Sequence, residues 1–191
     1  MTLLILGLIL FFGVHSIAII SVATRDHWAQ ALGANLWRGL YALMSLAGLV
    51  LLVLGYVEAR QAPELLYVPP AWTRHVAFLL MLPVFPLILA AYLPGRIKAK
   101  LKHPMLVGVK TWAVAHLLAN GMLADVLLFG GFLVWAVAVR ISLKRRVQKL
   151  MMPLPAPSAL NDVLAVALGL GLYVLVLLWL HRVVIGVPLV A

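Results

Sequence analysis

The chain has 191 residues, 65% of them hydrophobic and only 10% charged, with a mean hydropathy of +1.13. This excludes a soluble globular domain and leaves room for about six membrane spans of ~20 residues with short connections. A net charge of +10 sits beside the apolar runs rather than on a separate basic face, which points to anionic lipid headgroups and away from nucleic acid; the absence of cysteine excludes disulfides, thiolate metal sites and thiol redox switching.

Taken in chain order, six apolar runs predict helices at 2–23, 39–57, 76–93, 105–119, 122–139 and 160–180. Backbone polar groups in hydrocarbon need internal partners and no strand-like alternation is present, so the fold class is an all-α polytopic membrane bundle. The first run ends in small residues, Ser21, Val22 and Ala23, as a signal peptide does, but it lacks a basic start and its apolar stretch is long. It is expected to be a retained first span.

Pro83 and Pro86 fall inside the third run and predict a kink. The fourth run is short and is separated from the fifth by Asn120 and Gly121, a turn dipeptide that predicts a tight helical hairpin. Ahead of the sixth run stand Pro153, Pro155 and Pro157, and Asn161 and Asp162 are expected to cap that helix. With these six spans, twelve lysines and arginines fall on one side and three, Arg60, Arg74 and Arg182, on the other. By the positive-inside rule the N and C termini are then periplasmic, in a bacterial inner membrane.

Polar residues inside such a chain are costly, roughly 2.5 to 3.5 kcal/mol for a central charge, and are the first candidates for function. His15 lies well inside the first span, and His116 lies in the fourth with Lys110, Trp112 and Asn120. Each histidine admits two readings: an interior imidazole hydrogen-bonded to a neighbouring helix, or an axial haem ligand. Lys110 either snorkels to the surface or pairs with an anionic group such as a haem propionate, and Arg38 is a second propionate candidate. His27, His75, His103 and His181 sit at span ends or in loops, where a solvated histidine is inexpensive. His75, His181 and His116 have no metal-site spacing such as HxxxH to support them as ligands. Residues 96–102, RIKAKLK, read as a headgroup-facing segment, and Trp28, Trp37 and Trp72 as interfacial belts. Catalytic triads, P-loops and dinucleotide fingerprints are absent.

Several of these pieces occur together in one family. His15-Ser16, the following TRDHWAQALG and WRGLYALMSLAGL, KHPMLVG, WAVAHLLANG and the C-terminal HRVVIGVP resemble the NnrU family of bacterial membrane proteins over nearly the whole chain. That family takes its name from denitrification gene neighbourhoods. It is in turn similar to the plastid 15-cis-zeta-carotene isomerase, and the resemblance implies haem b held by two histidines, His15 and His116, with an apolar lipid or isoprenoid as a substrate class. Trp112 keeps the tryptophan of the isomerase element, but Ala113 stands where the isomerase has a cysteine linked to ligand exchange. A haem-based redox or nitrogen-oxide-linked role is the non-enzymatic expectation. A second resemblance competes: KHPMLVG looks like the ArgHisPro element of membrane S-adenosylmethionine methyltransferases, with Lys102 and Leu106 departing from it and no acidic partner in AVRISLKRRVQKL. On that reading the chain is a haem-free relative of those enzymes, or a structural or assembly factor.

Overall fold

The computed structural model describes residues 1–146 and 156–190; Pro153 and Pro155 ahead of the sixth run, and Lys149, one of the twelve basic residues counted on one side, lie outside the described residues. All regular structure among the described residues is helical, with one isolated antiparallel bridge between Leu65 and Met122. Five helices are long and apolar enough to cross a membrane, and a shorter apolar one, Pro104–Ala119, joins them. The chain forms two compact units, Met1–Glu64 and Leu65–Ala191.

In the first unit, α1 (Thr2–Ile20), α2 (Val22–Leu32) and α3 (Ala34–Ala59) follow one another almost without loops. The predicted first span is cut short at Ser21, which adopts extended backbone and accepts a hydrogen bond from the Thr24 N–H at 3.1 Å. That hydroxyl caps α2, so a segment expected to be loop is a separate helix. Gly33, at φ +79, turns the chain into α3, which begins five residues before the predicted span. The long α1 and α3 pack on each other through glycine. A Cβ at Gly7 would lie 2.6 Å from the Leu52 nitrogen, one at Gly48 2.9 Å from the Phe11 nitrogen, and one at Gly55 2.6 Å from the Leu4 Cα. Small residues let the two backbones approach, the packing mode by which helices associate where lipid is as apolar as leucine.

In the second unit, α4 (Thr73–Met81) and α5 (Val84–Ala90) form one interrupted crossing. The break falls at Pro83, as the sequence predicts, whereas Pro86 lies in the first turn of α5, where no helical hydrogen bond is lost. After α6 (Arg96–Leu101) and α7 (Pro104–Ala119), a three-residue helix α8 (Leu123–Asp125) leads through a π-helical turn, Val126–Gly130, into α9 (Gly131–Arg146). The helix thus runs past the predicted end at 139, and Arg140, Lys144 and Arg145 lie on it rather than in a loop. Long basic side chains can ride a helix out of the membrane with their charges in water. Similarly α10 (Ala159–Leu175) continues through a π-helical turn, Val176–Leu180, into α11 (His181–Ile185), so His181 and Arg182 are helical. Helix α5 packs on α7 and α10, and α7 also packs on α4 and α9. The core combines many small residues, among them Ala90, Ala113, Ala115, Ala136 and Ala165, with Val84, Leu106, Leu128 and Phe129.

The expected cap of α10 is used elsewhere. Asp162 accepts from the Arg96 and Ile97 N–H groups at 2.8 and 3.1 Å, capping α6, while Asn161 donates to the Pro94 carbonyl at 2.9 Å. Both side chains therefore tie α10 to the 94–97 segment, and Ser158 makes no side-chain cap. Asp162→Ala should cost about 0.5–2 kcal/mol and raise amide exchange at Arg96 and Ile97 more than in α10 itself.

Candidate functional site

In the first unit, Val14, His15, Ile17 and Ala18 recur at the spacing of one helix face near the end of α1, and Trp37, Arg38 and Tyr41 do the same near the start of α3. With Arg25 from α2 they line an open cavity of about 300 Å³. His15 Nδ1 lies 2.7 Å from the Phe11 carbonyl oxygen, one turn back on its own helix. A carbonyl only accepts, so Nδ1 carries the proton and donates it; in a neutral imidazole the lone pair then resides on Nε2. The ring stacks on Phe11 with centroids 4.0 Å apart and stands 5.3 Å from Tyr41. Its orientation is thereby fixed from within its own unit.

In the second unit His116 repeats the device, its Nδ1 donating to the Trp112 carbonyl at 2.9 Å. Phe129, carried on the π-helical turn, stacks on the ring at 4.4 Å, Trp112 lies at 5.2 Å, and Phe132 meets Trp112 edge-on. Asn120 serves the backbone: its Nδ2 donates to the His116 carbonyl at 2.9 Å. Lys110, six residues earlier on α7, is ~9 Å along the axis and about a third of a turn round from His116, so helical geometry does not put the two on one face.

A family model described as NnrU protein matches residues 3–189. The chain belongs to the NnrU family. No curated protein and no solved structure matches it.

Around His116 this NnrU chain holds groups that the sequence reading passed over. Asp125 is fully buried and accepts from the Met122 N–H at 2.8 Å, closing the turn after Gly121. The Tyr67 hydroxyl donates to the carbonyls of Leu117 and Asn120, and the Thr73 hydroxyl bonds the Leu118 carbonyl at 2.6 Å. Burial, then the Asp125 charge, pushes the Tyr67 phenol above its ordinary value, which keeps it a donor. In the first unit the omissions are Arg25 and Tyr41. The signal for Tyr41 was present, since it lies three residues after Arg38 and four after Trp37 on a helix.

The remaining histidines are dispersed. His27 and His75 are exposed, and His181 Nδ1 donates to the Val187 carbonyl at 2.8 Å. No cluster of three or more His, Asp or Glu side chains suited to a metal ion occurs among the described residues. At the KHP element, Lys102 adopts φ +62, a strained conformation for a non-glycine residue, and the His103 N–H closes a three-residue turn on the Leu101 carbonyl at 2.7 Å. Burial first, then the charges of Arg140 and Lys102, hold the His103 imidazole below its ordinary 6.5. A depressed folded value means the unfolded chain binds the proton more readily, so this group's contribution to stability falls as pH drops through 6.5 and levels off below the folded value. Arg140→Gln should raise the His103 value, read from the pH dependence of its ring resonances by NMR.

Proposed function

We propose that this NnrU protein is a haem-binding membrane protein in which His15 and His116 would supply iron ligands, with redox or small-ligand chemistry linked to nitrogen-oxide metabolism. The observation that carries the reading is the Nδ1–H bond to the i−4 carbonyl, made by both histidines, which leaves the lone pair on Nε2 as an axial imidazole requires. The donor set fits haem in a second respect, because Arg38 lines the same cavity as His15 and can take a propionate. Lys110 is the candidate for that task on α7. One-electron transfer, or exchange of an imidazole for a small ligand, is the chemistry that haem held by these residues would supply. The chain's own contribution is to orient the two rings through Phe11 and Trp112 and to surround them with apolar and aromatic groups.

The test is the optical spectrum of the purified protein, oxidised and reduced, with a pyridine haemochrome assay. About one haem per chain with sharp reduced α and β bands supports the reading. No haem after expression with a haem supply would return His116 to a packing role between Trp112 and Phe129, which their ring contacts already equip it to fill.

A further inference from the structure

The cavity beside His15 carries more cationic character than an imidazole ligand needs. Arg25 stands five residues beyond the end of α1 and Arg38 four residues beyond the start of α3, so both lie at the same end of the helix pair, at the depth where a span meets the headgroups. Among the described residues the one carboxylate paired with either is Asp26, 2.6 Å from Arg25. Two guanidinium groups against one carboxylate leave one net positive charge at the mouth. Deeper in, Val14, Ile17 and Ala18 give an apolar wall and Tyr41 an aromatic one, while Trp37 stands beside Arg38 near the mouth. About 300 Å³ is at the small end of ligand cavities, room for a head and the beginning of an apolar body.

We propose that this cavity binds the anionic end of an amphiphile, with Arg25 and Arg38 taking its paired oxygens and the apolar wall receiving the adjoining body. Guanidinium groups match such oxygens because their fixed fork donates two parallel hydrogen bonds. The chemistry is shared by a phospholipid phosphodiester and by the propionates of a porphyrin. The site itself does not depend on haem being the occupant.

Native mass spectrometry of the protein from phosphatidylcholine nanodiscs tests this with two pairs of probes: phosphatidylglycerol against phosphatidylcholine, and haem against haem dimethyl ester. In at least one pair the acidic member should bind more tightly, and the Arg25→Gln/Arg38→Gln double variant should weaken it about tenfold or more while leaving the neutral member unchanged. The double lysine variant, which keeps the charge but not the fork, should fall between the two; that result separates lost recognition from lost folding. Arginine-dependent phosphatidylglycerol binding without haem binding supports the site and overturns the haem reading. Haem bound as well as its ester, with no preference for phosphatidylglycerol, overturns the site and leaves the haem reading standing.

Discussion

His15→Ala and His116→Ala should each convert a six-coordinate spectrum into a five-coordinate or haem-depleted one, with helix content and membrane insertion unchanged. An axial imidazole contributes the iron bond itself, so haem retention through purification should drop by at least half in each variant. Added imidazole separates ligation from packing: it should restore the six-coordinate bands to His15→Gly, because a free base can enter the space the side chain leaves. A histidine that only glues helices would give no spectral rescue. Full haem occupancy with unshifted bands in both alanine variants would remove the two ligands from the account.

The second large effect concerns a residue with no chemistry. Gly55→Ala places a methyl group 2.6 Å from the Leu4 Cα and equally close to the Leu3 carbonyl carbon, well inside contact distance and against backbone rather than a side chain that can swing away. Helices α1 and α3 must then separate over part of their length. We expect a loss of about 1–3 kcal/mol, read as an earlier midpoint in detergent-induced unfolding of the first unit. Gly13→Ala and Gly39→Ala are the controls, since a Cβ at either meets nothing within 4 Å. Because α1 and α3 supply most of the wall around His15, ligand binding there should weaken in Gly55→Ala and persist in the controls. Equal stability across the three variants would mean that the close approach is not what holds the pair together.

The helical architecture was legible because hydrocarbon allows so few solutions: long apolar runs had to be helices, and Pro83 had to interrupt one. Their ends were less legible. Arg140 and Lys144 read as loop because charge marks the end of hydrocarbon, but α9 continues beyond it while its side chains reach water. The break at Ser21 was hidden because a single hydroxyl capping α2 leaves no trace in hydropathy. Asp162 illustrates a different limit, since the residue type announced a cap while only the tertiary arrangement chose α6 as the helix served. Of the candidate site, the histidines stood out as isolated polar residues in apolar runs, and the helix spacing put Trp112 and Asn120 beside His116. Arg25 and Asp125 were missed for opposite reasons: the first was one of twelve basic residues attributed to topology, and the second, although inside the fifth predicted run, stood so close to the Asn120–Gly121 turn that it was not weighed as an interior charge.

Helix α7 has 16 residues, which gives it ~24 Å against a hydrocarbon layer of ~30 Å. A helix that stops short would ordinarily leave its last carbonyls facing lipid, but here Tyr67 and Thr73 cover those of Leu117 and Leu118, and Asn120 covers that of His116. The backbone N–H groups of Leu66 and Tyr67 then meet the Gly121 carbonyl. All the donors contributed by the 66–73 stretch leave the ribosome some fifty residues before the carbonyls they serve. Synthesis from the N terminus therefore has the lid for this helix end ready before the end itself reaches the bilayer, and the order of the chain doubles as an order of assembly.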